Sequence, residues 1–253
     1  MMTTKVFQRV LAIFLVVVGL FVSSDVVSAG YYDEVQEYTT QINQNPNDYE
    51  AYKDRANAYV RLGQYDKAIQ DYSKAIQINP NYYKAYYGRG IVYRRLKQYE
   101  QAIQEHNKAL ELNPNYDKAY YGRGYAYQYL RQYERAIQDY NKAIQLNPNY
   151  SEAYGSRGYV YLELKQYELA IQDCSTAVQL DPNNERAYNN RGATYMNGLK
   201  QYERAIQDFS KAIEINPKYG LAYINRGKAY KALGNMKQAQ ADFAEAKQLA
   251  SNG

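Results

Sequence analysis

A chain of 253 residues, 46% of them hydrophobic, is long enough to bury a substantial core. Its single cysteine excludes an intrachain disulfide, and one cysteine with one histidine falls short of an ordinary zinc set. The net charge of +5 comes from 31 basic and 26 acidic residues mixed along the chain, which gives no basic block for nucleic acid. The 33 tyrosines, against five phenylalanines and no tryptophan, are the strongest compositional signal.

Residues 1–29 read as a signal peptide. Lys5 and Arg9 precede the apolar run Val10–Val22, and Val27-Ser28-Ala29 supplies the small residues of a cleavage site after Ala29. The run is shorter than the roughly 20 residues of a stable membrane span. The expectation is an extracytoplasmic protein, in the periplasm or cell envelope or secreted, starting at Gly30 and keeping no stable span. An uncleaved N-terminal anchor is the alternative.

Residues 30–49 align with half of the unit that follows, with Glu34 and Gln41 where small residues belong, and read as a degenerate N-terminal capping helix. From there the chain repeats. Its prolines, Pro46, Pro80, Pro114, Pro148, Pro182 and Pro217, recur every 34 residues and finally after 35. They mark six units, about 50–83, 84–117, 118–151, 152–185, 186–220 and 221–253. Each unit predicts two helices. In the first unit Ala51, Tyr52, Ala56 and Tyr59 form one apolar stripe; Tyr65, Ala68, Ile69, Tyr72, Ala75 and Ile76 form the other. Asn79-Pro80-Asn81 ends the pair, because proline cannot continue a helix. One pair cannot cover its own apolar stripe, so stacked copies are required. The extra residue near Asn197-Gly198 predicts a bulge or a loosened last turn in the fifth unit's first helix.

The spaced residues Tyr120, Gly124, Tyr127, Ala136, Tyr140, Ala143 and Pro148 resemble the motif of the tetratricopeptide repeat family, and the resemblance covers residues 31–250. Arginine replaces the family's leucine in every unit. The resemblance implies an all-α, right-handed α-solenoid of six helix–turn–helix repeats. In that family the first helices of successive units form a concave wall that holds extended peptides. The wall implied here includes Lys53, Asn57, Lys84, Tyr87, Ile91, Arg94, Lys118, Tyr121, Tyr125, Gln128, Glu152, Tyr159, Arg186, Asn189 and Lys228: a tyrosine strip edged with basic groups. Gly88, Gly122 and Gly155 are expected to leave room for the ligand. Of the family's C-terminal carboxylate clamp, Lys53, Asn57 and Lys118 match, but Gly88 and Gly122 replace two ligands, so that activity is not assigned.

Residues that invite a catalytic reading have plainer roles. His106 and Cys174 share the repeat position of Tyr72, Tyr140, Phe209 and Phe243, and residues there are expected to fill the core. The Gly-Arg-Gly tripeptides at 88–90 and 122–124 lie within predicted helices and lack a nucleotide fingerprint. Arg55, Arg89, Arg123, Arg157, Arg191 and Arg226 face neighbouring helices, and an acid recurs at Asp71, Glu105, Asp139, Asp173, Asp208 and Asp242. A cation near a core must be paired, so a ladder of ion pairs is expected. The chain reads as a non-enzymatic scaffold without metal or cofactor, binding a protein or peptide and favouring an acidic segment or a chain terminus. The alternatives are an envelope module that forms a homo-oligomer through its thinly covered last repeat, and a cell-wall glycan binder using the tyrosine strip.

Overall fold

A computed structural model describes residues 24–251, and the apolar run Val10–Val22 lies outside them. Every regular element among the described residues is an α-helix, and none is long and apolar enough to cross a membrane. The chain divides into two compact units, residues 1–98 and 99–253. The first contains α1 (Ser24–Gln44), α2 (Tyr49–Arg61), α3 (Tyr65–Ile78) and α4 (Tyr83–Arg95). The second contains α5 (Tyr99–Leu112), α6 (Asp117–Tyr129), α7 (Tyr133–Leu146), α8 (Ser151–Glu163), α9 (Tyr167–Leu180), α10 (Glu185–Asn197), α11 (Tyr202–Ile215), α12 (Gly220–Ala232) and α13 (Met236–Ser251). Within each unit consecutive helices pack together, and first helices also touch the first helix of the next repeat: α2 on α4, α6 on α8, α8 on α10 and α10 on α12.

Two kinds of turn enforce this layout. Between repeats, the side chain of the residue before proline accepts a hydrogen bond from the backbone N–H two residues on, as at Asn79, Asn113, Asn147 and Asp181. That closes an Asx turn beside a proline that cannot extend the helix. Within repeats, one left-handed residue ends the first helix: Gly63, Lys97, Arg131, Lys165, Lys200 and Gly234. The next backbone N–H then reaches back to a carbonyl, for example Gln98 to Tyr93 at 2.8 Å.

The fifth repeat absorbs its extra residue in this turn, not inside the helix. α10 keeps the 13 residues of its counterparts, and the Gln201 N–H bonds the Tyr195 carbonyl, one residue further back than in the other repeats. A bulge would have rotated the buried face of α10 out of register; a longer turn leaves it intact.

The arginine ladder forms. Arg55, Arg123, Arg157, Arg191 and Arg226 each donate through Nε and Nη2 to both carboxylate oxygens of Asp71, Asp139, Asp173, Asp208 and Asp242. In each case the aspartate lies on the second helix of the same repeat. The remaining nitrogen, Nη1, reaches the preceding repeat: Thr39 from Arg55, Ser73 from Arg89, Asn107 from Arg123, Asn141 from Arg157, Ser175 from Arg191 and Ser210 from Arg226. The bidentate contact with Asp71 holds the Arg55 guanidinium above its ordinary value against the opposing effect of burial. Arg55, Arg123, Arg157, Arg191 and Arg226 each therefore close their own helix pair and stitch it to the element before. Thr39 lies on α1, which gives that helix the docking contact of a preceding repeat and supports its reading as a cap.

Alanines fill the closest approaches and one larger side chain per second helix fills the rest. Tyr72, His106, Tyr140, Cys174 and Phe209 are all buried. Burial raises the Cys174 thiol, which keeps it protonated and chemically quiet.

Candidate functional site

The second unit contains a cavity of about 540 Å³ whose floor is one face of α8, within the size range of pockets that hold small ligands or peptide side chains. Glu152, Gly155, Ser156, Tyr159 and Glu163 line it at helical spacing. One wall comes from α6 and the turn after it, with Tyr121, Tyr125, Gln128, Tyr129, Arg131 and Tyr133. Opposite stand Asn184, Arg186 and Asn190 of α10 and its approach, with Tyr219 and Leu221 at the start of α12.

The tyrosine wall is held from behind. Gly124 lets the Tyr140 ring lie against α6, where an added Cβ would meet Cε1 at 3.0 Å. The buried Tyr140 hydroxyl then donates to Gln128 Oε1 at 2.7 Å and fixes the amide that faces the cavity. Tyr121 packs against Tyr140 and Tyr150, with ring centres 5.9 and 5.0 Å away. Tyr125 and Tyr129 lie 4.8 Å apart, their hydroxyls joined at 3.0 Å, and Tyr129 stacks on Tyr99 at 5.0 Å. A run of mutually supporting rings is a rigid, amphipathic surface that loses little entropy on binding.

Burial, reinforced by the charge of Glu163, pushes the Tyr159 phenol up to about 12. Burial also raises Tyr129 and Tyr219. These hydroxyls remain protonated donors at neutral pH. The formal charges on the lining balance, Arg131 and Arg186 against Glu152 and Glu163. Among the described residues no group of three or more His, Cys, Asp or Glu side chains is placed to hold a metal ion.

The cavity brings together Tyr121, Tyr125, Gln128, Tyr159 and Arg186 of the expected wall, with Glu152 beside them. Asn189 is elsewhere. It is buried, and its Oδ1 accepts from Asn225 Nδ2 at 3.0 Å, because the helical rotation turns it toward α12 and gives the cavity to Asn190. Lys118 and Lys228 are exposed and outside the lining. In the first unit, Lys53 pairs with Asp54 at 2.6 Å and Asn57 accepts the Tyr72 hydroxyl at 2.6 Å. Lys84, Tyr87, Ile91 and Arg94 lie along one stripe of α4, with Lys84 exposed and the other three half-buried.

The glycines do not hold open space for a ligand. A Cβ on Gly88 would lie 2.5 Å from the Tyr72 ring, and one on Gly122 would lie 2.6 Å from His106 Nε2. Both positions admit a core ring of the preceding helix. Gly155 lines the cavity while resting on Ala187 and Ala177. The sequence reading missed Tyr129, Glu163 and Ser156, which share helical stripes with Tyr125 and Tyr159 and were legible there. Arg131, Tyr133, Asn184, Tyr219 and Leu221 lie in turns or at helix starts, where periodicity gives no direction.

Tetratricopeptide repeat models match residues 38–252 without a gap. One described as "TPR repeat" matches 56–97, 158–198 and 199–234; others described as "Tetratricopeptide repeat" match 83–116 and 117–150, 38–70 and 139–172, and 221–252. A comparison with curated proteins found no match. Among solved structures, the chain is similar to YrrB, described as a TPR protein with an unusual peptide-binding site, at 28% identity over 73% of this chain and 95% of that one, with a TM-score of 0.56. It is similar to MamA at 28% identity over 67% and 92% of the two chains, with a TM-score of 0.56. PilF of Pseudomonas aeruginosa, at 19% identity over 81% and 93% with a TM-score of 0.68, shares the fold.

Proposed function

Since the chain belongs to the tetratricopeptide repeat family, we propose that it is a non-enzymatic scaffold holding an extended segment of a partner protein in the cavity over α8. The observation that carries this reading is the tyrosine-lined cavity itself, built on first helices and braced by the Tyr140–Gln128 contact. The peptide-binding site described for YrrB supports it. A peptide library screened against the full chain tests it. Enriched peptides should bind with micromolar affinity, and Tyr125→Ala or Ser156→Trp should weaken them by about tenfold or more. Peptides that bind these variants unchanged would refute the site.

On the pattern of residues 1–29, this scaffold works outside the cytoplasm. N-terminal sequencing of the protein from its native cell checks that: a chain starting at Gly30 in an extracytoplasmic fraction supports export, and an intact Met1 in the cytosol contradicts it.

A second reading is favoured by Phe243. Its counterparts Tyr72, His106, Tyr140, Cys174 and Phe209 are at most 2% exposed, whereas Phe243 is 36% exposed, with Met236 and Leu221 at 48% on the same helix pair. Self-association through this pair would cover it. Light scattering decides: a dimer that Phe243→Asp converts to monomer supports assembly, and a wild-type monomer rejects it.

A further inference from the structure

The two ends of the cavity differ in how their charges are answered. Near the C-terminal end of α8, the Tyr133 hydroxyl donates to Glu163 at 3.4 Å. Arg131 and Glu163 act on the same phenols, Tyr133 and Tyr159, with opposite sign. This end is internally compensated.

The other end is not. Arg186 is exposed to the cavity, and among the described residues no carboxylate lies within 4 Å of it. Around it lie the phenols of Tyr125, Tyr121 and Tyr219, neutral at pH 7, and the Glu185 carboxylate acts on it only from beyond ion-pair distance. Glu152, also exposed, lines the floor near this end. The Tyr125 hydroxyl is committed to Tyr129, but that of Tyr219 makes no hydrogen bond with a described residue. Burial keeps the Tyr219 phenol protonated. An unanswered guanidinium beside an uncommitted O–H donor is a pair of donors suited to one oxyanion.

Taking the peptide-binding reading as its basis, we infer that Arg186 and Tyr219 anchor the carboxylate of an aspartate or glutamate side chain within the bound segment. An internal acid is favoured over a chain terminus. From Glu152 to Glu163 the floor is about 16 Å long at the rise of an α-helix, room for about five extended residues. The exposed Leu221 beside Tyr219 gives the segment apolar contact on the Arg186 side as well. The chain therefore continues past the anchor.

The test screens the full-length protein against a phage-displayed random nonapeptide library. Enriched sequences are then made as soluble peptides with amidated C-termini. They should share an acidic residue, and replacing it with Gln or Asn should weaken binding about tenfold or more. Arg186→Gln should bind the acidic and amide forms alike, and Tyr219→Phe should lose part of the difference. Three outcomes would overturn the anchor: enriched peptides without an acid, equal weakening of both peptide forms by Arg186→Gln, or a requirement for a free C-terminal carboxyl. If nothing is enriched, the binding cavity itself fails and the anchor with it. Because the decisive comparison changes the peptide, it does not depend on how the protein variants fold.

Discussion

Arg186 and Arg191 lie five residues apart on α10 and do opposite things. Arg191 is drawn into the interior, bidentate on Asp208 at 2.9 and 2.8 Å and bonded through Nη1 to Ser175 of the repeat before. Arg186, at the mouth of the cavity, has phenols around it and no carboxylate within 4 Å among the described residues. The same side chain thus serves cohesion where its charge is fully answered, and on the proposed reading it serves recognition where no carboxylate is paired with it. Repetition sets the first role, since the Asp and the Ser, Asn or Thr recur with the arginine. The second depends on a position where the repeats differ: Lys84, Lys118, Glu152, Arg186 and Leu221 occupy equivalent places.

The contrast can be broken first at the seam. Arg157→Ala leaves Asp173 buried without its cation and should cost about 3–5 kcal/mol in a denaturant titration. A loss under 1 kcal/mol would mean that the ladder only decorates the packing. Next in size is the close approach that the seam permits. Gly158→Ala places a Cβ 2.6 Å from Cys174 Sγ and 3.2 Å from the Ala170 carbonyl, and should cost about 1–3 kcal/mol. An unchanged melting temperature would show the helices free to shift apart.

The pairing of Arg55, Arg123, Arg157, Arg191 and Arg226 with an aspartate was legible from sequence alone, because both recur at fixed positions along the chain. The partner in the preceding repeat was also there to be read, as Ser73, Asn107, Asn141, Ser175 and Ser210 immediately after the second-helix core position. The last unit has Ala244 there. The cavity was legible only where periodicity could point, along α6 and α8 and at Arg186 on α10. Asn189 and Asn190 differ by one helical step, and the packing of α10 on α12 decides which of them faces inward. Glycine was misread because its absent side chain fits a ligand and a core ring equally well; only the positions of Tyr72 and His106 decide.

At the cavity, Tyr125→Ala should weaken an enriched peptide by roughly 1–2 kcal/mol while leaving the Arg–Asp seam unchanged, measured by titration calorimetry. The smallest effect belongs to the turns. Lys165 sits at a φ of 59°, a conformation that glycine adopts without penalty, whereas the first and last repeats have Gly63 and Gly234 at this place. Lys165→Gly should therefore raise stability by about 0.5–1 kcal/mol in the same denaturant titration, and a loss of that size would contradict the strain argument.

The division of labour along α10 is tested most directly by measuring unfolding free energy and peptide affinity for Arg186→Gln and Arg191→Gln side by side. Arg191→Gln should lose about 3 kcal/mol or more of stability by leaving Asp208 buried with its charge unanswered. Arg186→Gln should unfold within about 0.5 kcal/mol of the parent yet bind acidic peptides about tenfold more weakly. Equal losses of stability in the two variants, or undiminished binding by Arg186→Gln, would contradict the account.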